Sequence, residues 1–184
     1  MSKRIAYLAA AAFSALSLTS TFVAPARAEE KTVMVGGAAM YPSKNIIQNA
    51  VNSKDHTTLV AAVKAAGLVQ TLEGKGPFTV FAPTNTAFGK LPAGTVDTLV
   101  KPENKATLTK ILTYHVVPGK LEASDLKDGQ KLKTVEGEEL TVKKSGSSVM
   151  IVDAKGGSST VTIPNVNQSN GVIHVVDTVL MPAS

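Results

Sequence analysis

Apolar positions recur along this chain in two different periods, and the period changes near Gly119. Before it the spacing is helical. Ile46, Ile47, Ala50 and Val51 follow Asn45 at helical intervals, and Leu59, Val60, Val63 and Ala66 fall on one side of a second helix. Asp55 is placed to accept from that helix's free amides, and Gly67 ends it. A short helical piece over 68–72 follows, so the region predicts an apolar helical layer. Residues 78–82 are apolar or Thr throughout, which predicts a strand buried on both faces. Pro83 ends it because proline cannot donate to a ladder, and Thr84 can cap a short helix over 85–88. Residues 92–100 read as one more helical piece, and Pro102 suits the first turn of another helix. In that helix Leu108, Ile111, Leu112 and His115 share one stripe, so His115 is predicted to face the core.

After Gly119 the period becomes two. Leu132 with Thr134, Leu140 with Val142, Val149 with Ile151, and Val161 with Ile163 alternate, separated by Glu136-Gly137, Ser145-Gly146 and Gly156-Gly157. This predicts an antiparallel meander. Asn170-Gly171 is a turn signal opening a final strand. Helices first, then consecutive strands, with one apolar strand between helices, give an α+β class with a mainly antiparallel sheet.

The N-terminus changes the reading of charge. Lys3 and Arg4 precede an uncharged apolar and small-residue run, and Ala26-Arg27-Ala28 has the small-x-small form of a cleavage site. Residues 1–28 are therefore expected to be a signal peptide, 29–43 a flexible leader broken by Gly36-Gly37 and Tyr41-Pro42, and 44–184 a single domain. Loss of Lys3, Arg4 and Arg27 lowers the formal charge from +5 to +2 and removes every arginine. The remaining lysines are scattered among acids, which argues against a nucleic-acid partner. With no cysteine in the chain, disulfides, thiolate metal sites and thiol nucleophiles are excluded.

Three segments stand out in order. They are Phe78-Thr79-Val80-Phe81-Ala82-Pro83-Thr84-Asn85-Thr86-Ala87-Phe88, then Tyr114-His115 with Val116-Val117-Pro118, and then the run of residues 170–182 from Asn170-Gly171-Val172-Ile173-His174 through Asp177 to Pro182. Together they resemble the two signature segments and the Tyr-His motif of the fasciclin (FAS1) domain, over roughly residues 45–182. The resemblance implies a FAS1 fold, a β-sandwich or wedge carrying a layer of short helices, with the two signature segments near each other in the core. It also implies an exported, non-enzymatic module for cell adhesion or for contact with a surface or matrix protein or glycan. In that family the Tyr-His motif is associated with adhesion, which makes Tyr114, His115, Val116, Val117 and Pro118 candidate contact residues. The same residues also fit core packing, and Thr84, Asn85, Asn170, Gly171, His174 and Asp177 read as structural positions. A carrier for a small apolar ligand, or an envelope structural or stress protein, are the alternatives.

Candidate chemistry is sparse. His56 opens a polar helix start and is expected to be solvated. His115 and His174 lie in apolar runs and read as core histidines, hydrogen-bonded by Asp177, Asn85 or backbone carbonyls. No spacing advertises a metal ligand set, and no cofactor motif is present: Gly74-Lys75-Gly76-Pro77 lacks the phosphate-loop spacing and precedes a strand. No GxSxG, SxxK or HExxH occurs, and Glu138-Glu139 point to opposite faces of a strand, so no catalytic residue is assigned. Asn167-Gln168-Ser169 matches a glycosylation sequon and suggests a surface loop.

Overall fold

A computed structural model describes residues 31–183; the expected signal peptide lies outside the described residues. The fold is α+β, as the patterning predicts. Six short helices, α1 (Ile46–Ala50), α2 (Thr57–Ala66), α3 (Val69–Glu73), α4 (Asn85–Gly89), α5 (Thr95–Leu99) and α6 (Lys105–Tyr114), lie in the first part of the chain. Strands β1 (Val33–Val35) and β2 (Ala38–Met40) form a separate hairpin. The main sheet holds β3 (Phe78–Pro83), β4 (Val116–Pro118), β5 (Lys131–Lys133), β6 (Glu139–Ser145), β7 (Ser148–Val152), β8 (Ser158–Gln168) and β9 (Gly171–Val176). Its order is β4-β3-β9-β8-β7-β6-β5.

The meander β5 to β9 is antiparallel throughout, whereas β3 enters between β4 and β9 and pairs with β9 in parallel, Phe78 opposite Gly171 through Pro83 opposite Val176. The two signature segments are thus neighbouring central strands. Gly171 is required there, because a Cβ would collide with the Phe78 carbonyl. The sheet curls until its edges meet: the Val135 amide, just past β5, donates to Val116 O of β4 at 2.8 Å.

Curling divides the interior in two. One cluster fills the space between helices and sheet, with Leu59, Val63, Leu108, Ile111, Val80 and Ile173 among its members. The other lies inside the curled sheet and holds Phe81, Tyr114, Leu126, Leu140, Ile151 and Val176. Alternation along β3 sends Val80 and Ala82 to the first and Phe81 to the second.

Residues 33–40 depart from the expected flexible leader. The β1–β2 hairpin buries Val35 and Met40, because buried Asn49 of α1 clamps its exit, accepting from Tyr41 N at 3.1 Å and donating to Tyr41 O at 2.8 Å. Gly36, at φ 58°, lets the turn lie on the next segment; a Cβ there would meet Ser53 Oγ and the Asp55 amide. Helix α2 also differs in its cap. Asp55 makes no cap bond; Asn85, from the other side of β3, accepts from Thr58 N at 3.0 Å and donates to Lys54 O at 2.8 Å. Thr84 caps α4 as expected, accepting from Ala87 N at 3.2 Å. Val51 of the first helical stripe is exposed. The sequon Asn167 belongs to β8 rather than to a surface loop, and its side-chain oxygen is buried.

Candidate functional site

Helix α6 ends at Tyr114, and His115 is its C-cap in right-handed conformation, so these two neighbours leave the helix in different directions. Tyr114 enters the sheet-enclosed cluster and is wholly buried. Its hydroxyl donates to Glu139 O at 3.1 Å and accepts from Ala154 N at 2.9 Å, and burial pushes the phenol up to about 12.

His115 is held by backbone alone. Nδ1 lies 2.8 Å from Ile111 O and must carry the proton, and Nε2 accepts from Leu180 N at 3.0 Å. Burial lowers the imidazole to about 4, against the opposing pull of Ile111 O and Asp153. A neutral histidine with both nitrogens engaged is a structural tie between α6 and the C-terminal segment. Val116 packs under the helices and Val117 inside the sheet; Pro118 is exposed. Of the five residues in the Tyr-His segment, only Pro118 is exposed.

His174 repeats this arrangement from β9. Nε2 donates to Leu121 O at 2.8 Å, Nδ1 accepts from Asn165 N at 3.3 Å, and the ring stacks on Phe81 with centroids 5.6 Å apart. Burial lowers its pKa as well, opposed by Leu121 O and Glu122. Neither Asp177 nor Asn85 bonds to either core histidine, so of the expected partners only the backbone carbonyls serve. Asp177 instead accepts from Thr160 N at 2.8 Å and Thr178 Oγ1 at 3.1 Å, and faces Lys90 at 3.5 Å. Burial alone would raise its carboxyl, but the Thr160 amide, the Thr178 hydroxyl and Lys90 hold it below the ordinary value. Asn170 ties together elements far apart in the chain. It donates to Leu72 O at 2.7 Å and Gly74 O at 2.9 Å and accepts from Ile46 N at 3.1 Å, joining α1 and α3 to the turn before β9.

Two residues escape sequence reasoning. Asp153 accepts from Gly157 N at 2.7 Å and Met181 N at 3.0 Å, fastening the C-terminal segment to the β7–β8 turn; only its Asp-x-x-Gly-Gly context hints at the role. His56 is buried at 3% exposure, contrary to the expected solvated position. The 3-10 turn over Lys54–His56 rolls its ring inward, where Nδ1 meets Ser53 Oγ at 2.9 Å and the ring lies against the Ala82 backbone. Burial lowers its pKa, opposed by the Ala82 backbone and Asp55.

His56, His115 and Val116 line a cavity of about 80 Å³ between α1, α2, α6 and the sheet, walled chiefly by aliphatic side chains including Val35 and Met40 of the hairpin. Among the described residues no cluster of three or more His, Cys, Asp or Glu could hold a metal, and no helix is long and apolar enough to cross a membrane.

Comparison with known proteins adds the following. The Fasciclin domain family matches residues 54–182. Protein sll1483 of Synechocystis is 46% identical over 178 residues, spanning 97% of this chain and 95% of that protein. Immunogenic protein MPB70 of Mycobacterium bovis is 34% identical over 195 residues, spanning 95% and 96%. The cell surface glycolipoprotein MPB83 of the same species is 39% identical over 153 residues, spanning 80% of this chain and 64% of that one. Among solved structures, a FAS1 domain pair from the insect cell adhesion molecule Fasciclin I shares the fold at TM-score 0.68 and 19% identity. The match covers 77% of this chain and about half, 52%, of that one.

Proposed function

From the premise that the chain belongs to the fasciclin family, we propose that it is an exported, non-enzymatic interaction module that attaches to a protein or glycan of a cell surface or matrix. The observation that carries the reading is its similarity to a mycobacterial protein named for its place on the cell surface, across 80% of this chain. Export rests on the N-terminal pattern. The mature chain begins at Glu29, and intact mass of the secreted form tests that directly.

Burial supports a narrower set of contact residues. Tyr114, His115, Val116 and Val117 are interior and cannot touch a partner without unfolding. The segment presents Pro118, and Val116 is hydrogen-bonded to Val135, which is 44% exposed. Pro118 and Val135 are therefore the places through which this motif contributes to attachment, and the buried residues support them. In an attachment assay with immobilised protein, the Pro118→Asp, Val135→Asp double variant is expected to keep its melting temperature and lose binding. Tyr114→Phe is expected to lose stability but bind while folded. Wild-type protein that retains no cell, matrix component or envelope fraction overturns the proposal.

A further inference from the structure

Between the helices and the sheet lies a cavity whose walls offer hydrocarbon and almost nothing else, and we propose that it binds an unbranched alkyl chain with no polar group of the guest inside. The chain packs on Leu59, Val63 and Leu112. This goes beyond surface attachment, because the site is internal and what it encloses is small.

The walls set the chemistry. No Asp, Glu, Lys or Arg lines the cavity, and its buried polar side chains are engaged elsewhere. His115 uses both ring nitrogens, Ser53 and His56 meet each other, the His56 ring lies against the Ala82 backbone, and the Thr113 hydroxyl donates to the Thr109 and Lys110 carbonyls. Thr71, the remaining one, is exposed. A buried water needs two to four hydrogen-bond partners, so this space stays dry and an apolar guest displaces no bonded water. The aliphatic walls of an empty space lack the dispersion contacts of a packed core, and a guest restores them. A carboxylate, phosphate or ammonium would be buried unpaired, so any charged end of the guest stays outside.

Shape separates a chain from a ring. Phe78, Val80 and Ala82, alternate residues of β3 that pack toward the helices, all line the cavity, a run of about 13 Å at the strand's rise per residue. The space is drawn out along the strand. An engineered cavity of about 150 Å³ holds benzene, so about 80 Å³ drawn out in this way encloses on the order of three or four chain carbons and excludes a ring. The remainder of a longer chain leaves beside Thr71 or Val135, the two exposed members of the lining. Val35 and Met40 complete the wall from a hairpin lying before the fasciclin match at 54–182, so the chain closes this space with residues outside the matched segment. Gly36 seats that hairpin directly on Ser53.

The test uses two isomers of equal carbon number, n-pentane and neopentane, titrated into methyl-labelled protein and followed by NMR. With n-pentane, saturable shifts are expected at the methyl groups of Leu59, Val63 and Leu112. Neopentane, equally apolar but nearly spherical, should bind more weakly by roughly 10-fold or more, the effect of overpacking a fixed space. Octanoate, kept below its micelle concentration, separates the two sources of such a chain. Saturable shifts at the same methyl groups assign the cavity to the tail of an amphiphile whose head stays outside, and their absence while n-pentane binds assigns it to a free hydrocarbon. Val63→Phe, which fills the space, should abolish n-pentane binding. If that variant does not fold, the wild-type preference between the isomers decides. Shifts that never saturate, or that scatter over the surface, overturn the site. Equal affinity for the two isomers overturns the unbranched chain as the ligand class.

Discussion

The two halves of the interior solve the same problem with different completeness. Inside the curled sheet, side chains from β3, β6, β7 and β9 meet from opposite sides, and the one aromatic hydroxyl there, that of Tyr114, has both a donor and an acceptor. Between helices and sheet, six helices of five to ten residues cover the surface and leave a gap. The gap is the cavity, lined almost wholly by apolar side chains. The sheet-enclosed half is built for rigidity. The helix-covered half keeps an apolar space.

The largest test of that contrast is Tyr114→Ala. It removes a fully buried aromatic ring from the closed half and strands the Glu139 carbonyl and Ala154 amide, so a loss of about 3–5 kcal/mol is expected by urea denaturation. Tyr114→Phe isolates the hydroxyl and should cost about 1–3 kcal/mol. It should also remove a pH dependence. The folded-state pKa of Tyr114 is raised to about 12, so its contribution is complete below pH 10 and lost as pH rises from 10 toward 12. Thermal melts across that range should steepen for wild type and not for Tyr114→Phe.

His115 fails at the other end of the scale. Its folded-state pKa is depressed from 6.5 to about 4, so the unfolded chain binds the proton first, and stability present above pH 6.5 is lost as pH falls toward 4. That span corresponds to on the order of 3 kcal/mol. His56 and His174 are lowered too and add in the same direction. His115→Ala should flatten the acid slope while costing about 1–3 kcal/mol at neutral pH, since Leu180 N and Ile111 O lose their partner. Stability of wild type that stays level from pH 7 to 4 would mean the histidines are not buried neutral.

Much of the closed half was legible in the sequence, because its signals are local. The unbroken apolar run at β3 announces a strand covered on both faces, and the alternating sets after Gly119 announce β5 to β8. In the helix-covered half the Leu108, Ile111, Leu112, His115 stripe likewise announces an inward histidine. The helix-covered half hid its other determinants in long-range bonds. Asn49 orders the hairpin by clamping Tyr41, a relation no periodicity reveals, so residues 33–40 read as a flexible leader. His56 read as solvated because its neighbours Lys54, Asp55 and Thr57 are polar; only the 3-10 turn rotates it inward. In β8, register shifts between Val161 and Ile163 and between Ile163 and Val166, with Asn165 at φ 57°, spoil the alternation. The Tyr-His motif marked the right place while leaving open whether it is surface or interior, since adjacent residues there face different clusters.

Asp177 supplies the smallest and most discriminating prediction. Read from the sequence it is a buried acceptor, and Asp177→Ala would then cost as much as losing a core histidine. In the fold its side chain is 41% exposed, so the ion pair with Lys90 at 3.5 Å is worth little on its own. What it supplies is acceptance from Thr160 N and the Thr178 hydroxyl, which hold the chain where it leaves β9. Water can reach those donors once the carboxylate is gone, so Asp177→Ala is expected to cost about 0.5–1 kcal/mol, well below His115→Ala. Because its folded-state pKa is lowered, that contribution should be present above pH 3.8 and disappear as pH falls below it. Urea titrations of both variants at neutral pH separate the two readings. Equal losses at Asp177 and His115 would mean that the carboxylate is as enclosed as the imidazole, and that the chain leaving β9 belongs to the closed half rather than to its exposed margin.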